Sequence, residues 1–255
     1  MKENDFDSAQ PRHYDVIVIG SGLGSLAAAS LLAQFENKKV LIVEKHFKIG
    51  GYTHTFKRKQ KYHFDVGVHY IGDMYKGAPL RQMMDVVTDN KVDWVKLPDP
   101  FEVYQYPDYK ISQPDSVETY KGRLAEMFPE EKEAILKFFR DVNKYTNLLG
   151  LLDISAELPG SLKYLGKLSS ELDRSEAFAS TKEYLDKNFK SEKLKGILYS
   201  QWGSHALPPS TCPFAMHAVV VNHFQHGGYY PAGGSGRIAE SVIPNRGKYA
   251  RFEDV

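Results

Sequence analysis

A single cysteine, Cys212, leaves this 255-residue chain without an internal disulfide, so its fold has to rest on packing and hydrogen bonding. That economy fits a reducing compartment and is also compatible with a disulfide-free exported protein. An excess of one charge is missing as well. Thirty-three Lys and Arg stand against 32 Asp and Glu, a net charge of +1, which removes the electrostatic case for a nucleic acid partner. Residues 1–13 are polar and hold no apolar h-region, so no secretory signal is expected. No apolar run approaches the length of a membrane span, which points to a cytoplasmic protein, soluble or peripheral to a membrane. No GxSxG elbow offers an anchor for a hydrolase triad. His217, His223 and His226 match no helical HExxH pattern and have no clustered carboxylate or cysteine beside them, so no metal is expected. No internal repeat is found.

What is present is enough apolar material for a core, 42% of residues, in a length that suits one large domain or two small ones. The most informative stretch runs from Tyr14 to Gly51. The apolar run Asp15 to Ile19 leads into Gly20-Ser21-Gly22-Leu23-Gly24-Ser25, a helical pattern follows, and Val40 to Val43 leads to Glu44. That order predicts a strand, a glycine turn, a helix and a second, parallel strand ending in an acid. Gly20 allows the tight turn, and Gly22 lets bare backbone approach a pyrophosphate. The helix N-terminus offers free N–H groups to the phosphates. Glu44 is placed to accept hydrogen bonds from ribose hydroxyls and to repel a 2′-phosphate. Ser25 stands where the third glycine of the pattern belongs. Gly50-Gly51 is a second place where bare backbone can lie against a cofactor.

The first helix carries Leu23, Leu26, Ala27, Ser30, Leu31 and Ala33 on one face and is expected to stop near Asn37, a residue tolerant of the left-handed conformation. Thr53 to Lys57 and Lys61 to Phe64 read as two short strands. The texture changes near Pro79: Asp85 to Leu97 is amphipathic, and Phe101 to Ile111 alternates aromatic residues as strands do. Pro129 opens a helix with Ile135, Phe138, Phe139, Val142 and Tyr145 at helical spacing, ending before Gly150. Leu158, Leu162, Leu165, Leu168 and Leu172 form one face of another helix, suited to packing on neighbours or to lying on a membrane surface. Ser180 and Glu183 have capping-box spacing. Gly227 to Gly236 is a second glycine-rich loop before a helix-like Ile238 to Ile243. It reads as a phosphate cradle or as a structural turn. His69 and Tyr70, between two glycines, can hold or move protons or simply pack within their loop.

Asp15 to Ser25, Val40 to Gly51, Tyr52-Thr53-His54-Thr55-Phe56, Phe64 to Gly72 and Tyr230 to Gly234 together resemble the flavoprotein family of retinol saturases, bacterial phytoene or carotenoid desaturases and carotenoid isomerases. The run His69-Tyr70-Ile71-Gly72 looks most like the retinol saturase branch. The resemblance implies an α/β fold: a Rossmann-like FAD-binding βαβ unit with an α+β substrate region and an incomplete sheet. It implies residues 1–78 as the N-terminal part of the FAD/NAD(P)-binding domain, 79–228 as the substrate-binding region, and 229–255 as a truncated return segment. It implies FAD as cofactor, with Gly20, Gly22, Leu23, Gly24, Ser25, Glu44 and Lys45 on the ADP portion and Gly50, Gly51 and His54 nearer the pyrophosphate and flavin. NAD(P)H is compatible as the electron source. The substrate class implied is an apolar polyene or lipid, acted on at carbon–carbon double bonds, with peripheral membrane contact and no nucleic acid partner. His69 and Tyr70 are the candidate catalytic positions.

Three features depart from the family pattern: Ser25, Lys61 at a turn where glycine is usual, and a chain that ends without the expected pair of returning strands. Three readings stay open from sequence. They are a FAD-dependent oxidoreductase of the CH–CH type, an inactive fragment that retains only the ADP-binding half of the site, and an ordinary NAD-dependent dehydrogenase, in which Gly50-Gly51 has no evident use.

Overall fold

The computed structural model describes residues 13–157, 174–242 and 250–254. The chain divides into two compact units, Met1–Lys96 with Tyr229–Val255, and Leu97–Gly228.

In the first unit, β1 (Val16–Ile19) and β2 (Val40–Glu44) pair in parallel, Val16 opposite Val40 and Ile19 opposite Val43, with α1 (Leu23–Phe35) connecting them. Leu26, Ala29 and Ala33 of α1 bury against Val40 and Ile42, joined by Val16 and Val18. Leu31, assigned from its spacing to the buried face, is 40% exposed. The helix stops where expected, and Asn37 has a φ of 50°. A third strand, β9 (Ala250–Asp254), pairs in parallel along the other side of β2, giving the order β1-β2-β9. Ala250–Asp254 extends the sheet by one strand, so the described nucleotide sheet has three strands and stays small.

β3 (Thr55–Arg58) and β4 (Tyr62–Asp65) form an antiparallel hairpin. Its two turn residues, Lys59 and Gln60, both have positive φ, the primed geometry that matches strand twist. Lys61 lies just past that turn and donates its N–H to Arg58 O, so the usual glycine is not needed there. Pro79 opens α2 (Pro79–Thr88), and left-handed Asp89 and Asn90 end it before β5 (Trp94–Lys96). The amphipathic stretch 85–97 thus spans a helix end and a strand. β5 pairs antiparallel with β8 (Tyr229–Pro231), and α9 (Gly236–Val242) adds Ala239 and Val242 to the core beneath α1.

The second unit has an antiparallel hairpin, β6 (Glu102–Gln105) and β7 (Lys110–Gln113), followed by helices α3 (Val117–Met127), α4 (Lys132–Glu157), α5 (Arg174–Ala177), α6 (Thr181–Asn188), α7 (Glu192–Leu198) and α8 (Phe214–His223). Ile135, Phe138, Phe139, Val142 and Tyr145 of α4 are all buried. The ring of Phe214 stacks on Tyr184 with centroids 3.5 Å apart, and Tyr145 meets Phe214 edge-on at 5.7 Å. Helix α4 continues past Gly150. The leucine-faced stretch 158–172 lies outside the described residues.

Candidate functional site

Gly20 leaves β1 with a φ of 92°, a conformation that favours glycine, and donates its N–H to Val43 O at 2.7 Å. Gly22 is the N-cap of α1 and supplies no side-chain cap, so the donors of the first turn are left for a ligand. A Cβ at Gly22 or Gly24 would meet no atom within 4 Å, which makes this side of the loop open space. A Cβ at Gly51 would sit 2.9 Å from Gly22 Cα. The Gly50-Gly51 pair therefore lies directly on the first glycine loop, and both residues have positive φ, 111° and 54°.

Ser21 joins these pieces. It is fully buried; its N–H and hydroxyl both donate to Glu44 Oε2, at 2.7 and 2.6 Å, while its Oγ accepts from Gly50 N at 3.0 Å. Glu44 Oε1 accepts from His46 N at 2.9 Å. The Ser21 hydroxyl bond, then the His46 N–H, hold the Glu44 carboxyl down at about 2, so it is ionised at neutral pH. One serine thus links the glycine turn, the acid of β2 and the second glycine pair. Ser25 Oγ lies 3.9 Å from the place of a Gly20 Cβ, and α1 runs unbroken from Leu23, so the departure at position 25 leaves the helix intact.

Leu23 is half-buried beside the cluster of Met74, Met84 and Ile238, and Lys45 is exposed. His54 follows the 3-10 turn Gly51–Thr53, its Nδ1 2.5 Å from Gly51 O and its ring 4.9 Å from that of His46. The structure therefore brings Gly20, Gly22, Glu44, Gly50, Gly51 and His54 around one loop.

The second glycine-rich loop packs beneath this region. Asp65, at the end of β4, accepts from Tyr230 and from Ser235, whose Oγ lies 2.7 Å from Asp65 Oδ1 and 2.9 Å from Thr53 O. Burial alone would raise the Asp65 carboxyl; the bonds from Tyr230 and Ser235 outweigh it and hold it below the usual range. Burial, then the bond to Asp65, pushes the Tyr230 hydroxyl up to about 12. Gly233 lies against Arg237 and Gly234 against Thr55 and Tyr230, and the pair leads into the seven-residue α9, so its contacts are those of a structural turn. His69 is exposed and Tyr70 half-buried, in a loop that Ile71 fastens to Tyr229 by two backbone bonds of 2.8 Å.

Sequence reasoning missed Ser21, Asp65 and Ser235. The only signal for Ser21 was a polar residue set between the first two glycines. In the other unit, His217 is buried, with Nε2 2.9 Å from Leu198 O and Nδ1 3.3 Å from His205 Nε2, and burial pushes its pKa down to about 4. Among the described residues, no group of three His, Cys, Asp or Glu is placed to hold a metal ion.

Residues 18–87 match the family of NAD(P)-binding Rossmann-like domains. The all-trans-retinol 13,14-reductase of Homo sapiens is 36% identical over 248 residues, covering 92% of this chain and 40% of that protein. The chloroplastic prolycopene isomerase of Daucus carota is 33% identical over 155 residues, covering 57% of this chain and 24% of the isomerase. Among solved structures, the cyclohexylamine oxidase of Brevibacterium oxydans superposes with a TM-score of 0.60 at 17% identity, over 95% of this chain and 51% of that one, a likeness of fold. The chain is a homologue of the all-trans-retinol 13,14-reductases, carries a Rossmann-like nucleotide-binding unit, and spans about 40% of the length of those relatives.

Proposed function

We propose that this chain binds FAD and belongs to an oxidoreductase that acts on carbon–carbon double bonds of a retinoid- or carotenoid-like polyene, by saturation, desaturation or isomerisation. The observation that carries the proposal is the Gly51–Gly22 contact: two bare backbone segments and the uncapped start of α1 converge on open space beside an ionised Glu44. That donor set fits an ADP moiety. Gly20, Gly22, Leu23, Gly24 and Ser25 would lie along its pyrophosphate, Glu44 and Lys45 by its ribose, and Gly50, Gly51 and His54 toward the flavin. When bound, a flavin supplies the hydride chemistry that adds or removes hydrogen across a double bond. The relatives' names, a retinol reductase and a prolycopene isomerase, support a polyene as substrate. NAD(P)H is the proposed source of electrons, and His69 and Tyr70 are the proposed proton-handling groups. Location in the cytoplasm, with peripheral contact to the membrane holding the polyene, belongs to the same reading. Among the described residues no helix is long and apolar enough to cross a membrane.

A second reading, binding of the ADP portion without turnover, is favoured by the described sheet of three strands, which leaves Ile17 and Ile19 exposed. One preparation separates the two. The purified chain is reconstituted with FAD, its visible spectrum recorded, and turnover of all-trans-retinol or a carotene followed with NADPH or a dye as redox partner. Bound flavin with turnover supports the first reading, and bound flavin without turnover the second. Failure to retain flavin in a folded preparation overturns both. His69→Gln is expected to lower turnover while leaving flavin content unchanged.

A further inference from the structure

The unit Leu97–Gly228 contains an open cleft of about 670 Å³, a volume typical of small-molecule sites. The hairpin β6–β7, helices α6 and α7 and the 3-10 turn Ser200–Ser204 surround it. We propose that this cleft is a binding site for a neutral, flat, conjugated small molecule. The proposal rests on this unit alone and stands whether or not FAD binds elsewhere in the chain.

Aromatic side chains give the cleft its character: Tyr104, Tyr106, Tyr199 and Trp202 line it. The three tyrosine hydroxyls are engaged within the protein. The Tyr106 hydroxyl lies 2.6 Å from Ser200 Oγ and 3.0 Å from Gly196 O, Tyr199 donates to Leu207 O at 2.8 Å, and Tyr104 bonds Glu102 and Gln113. What the tyrosines have left to offer is ring surface, to which Trp202 adds its own, and a planar conjugated molecule matches it by stacking. Trp202 is 51% exposed and Val103 45%, apolar area that a ligand would remove from water.

The charges in the lining argue for neutrality. Lys182 and Lys195 face Asp186 and Glu192, two of each sign. Lys195 Nζ bridges Asp186 Oδ1 at 2.7 Å and Glu192 Oε1 at 2.8 Å, and Lys182 pairs with the other oxygen of Asp186. An anionic ligand would have to draw Lys195 away from two carboxylates, and a cationic one would meet both lysines. Neither gains what it loses, whereas a neutral ligand disturbs no pair.

The chain has two tryptophans, which makes the test direct. Trp94 lies in the other unit with its buried Nε1 unbonded, so Trp94→Phe removes no hydrogen bond and leaves Trp202 as the sole indole. This variant of the full chain is titrated with N-phenyl-1-naphthylamine, a neutral probe, and with 1-anilinonaphthalene-8-sulfonate, the same ring system carrying a sulfonate. Saturable energy transfer from Trp202 to the neutral probe is expected at one probe per chain, with the sulfonate at least about tenfold weaker. Gly196→Leu fills the cleft: a Cβ there has only Tyr109 Oη near it, at 3.9 Å, and the neutral probe is expected to bind about tenfold more weakly with circular dichroism unchanged. Should Gly196→Leu disturb the fold, Val103→Glu at a half-exposed strand position introduces an unpaired charge, and the same loss is expected. Non-saturable transfer, equal affinity for the two probes, or unchanged binding in a folded cleft variant would overturn the proposal.

Discussion

Ser21 has no counterpart in the glycine pattern that surrounds it, yet its hydroxyl bonds both Glu44 and Gly50. Removing it strands the buried Gly50 N–H and leaves Glu44 Oε2 with the Ser21 N–H alone. Ser21→Ala is therefore expected to lower stability by about 2 kcal/mol, read from urea unfolding curves. The same bond fixes a pH dependence. Because the folded Glu44 carboxyl is held at about 2, below its reference value of 4.5, its contribution to stability is complete above pH 4.5 and is lost as pH falls through the folded value. In Ser21→Ala the loss should be smaller and should end at a higher pH, because the largest cause of the depression is gone and the folded value moves back toward 4.5. Glycine positions were legible because a turn demands them locally, so Gly20, Gly22 and the Gly50-Gly51 pair could be named. Ser21 was not legible, since its partners lie 23 and 29 residues away and any small residue suits the turn itself. Gly51→Ala is the complementary test: its Cβ would fall 2.9 Å from Gly22 Cα at a φ of 54°. Flavin retention after reconstitution should fall at least about tenfold if the cradle holds the cofactor.

At the scale of the element, what the sequence revealed was decided by neighbours within a turn or two. The Ser180 and Glu183 capping box forms in full, each side chain bonding the other's backbone at the start of α6. Ser180→Ala is expected to destabilise the helical unit by about 1 kcal/mol, visible as a lower urea midpoint of its helical circular dichroism signal, with Ser180→Thr largely restoring it. Where tertiary packing competes with local preference, the reading failed. Gly150 does not stop α4, because a single glycine costs a helix only about 1 kcal/mol and Tyr145 and Leu148 are already buried in the core on approach to it. A second boundary lies within 85–97. An amphipathic pattern hid a helix end, because Asp89 and Asn90 both take left-handed conformations that the apolar spacing does not report.

Across the whole molecule, the decisive contacts join segments far apart in sequence. Tyr230 and Asp65, 165 residues apart, tie the loop before α9 to the hairpin, and Tyr106 meets Ser200 across 94 residues in the cleft. A motif reader sees two glycine loops and an aromatic-rich region; only folding shows that the first loop is an open cradle and the second a brace. The βαβ order, by contrast, was readable throughout, because a parallel pair joined by a helix is written in contiguous residues. The sheet it begins is small. Strand β1 has one paired neighbour among the described strands, β2, and its alternate residues Ile17 and Ile19 are 62% and 86% exposed, although Val16 and Val18 pack inward. An unpaired strand edge flanked by exposed isoleucines favours association between copies of the chain. Ile19→Lys places a charge on that face without entering the core, since Ile19 is already largely solvated. In sedimentation velocity at rising concentration, the wild-type chain should shift toward larger species while Ile19→Lys stays at one sedimentation coefficient. Indistinguishable profiles would mean that another surface governs association, whereas a shift removed by this one substitution, with circular dichroism unchanged, would assign it to the open face of the nucleotide sheet.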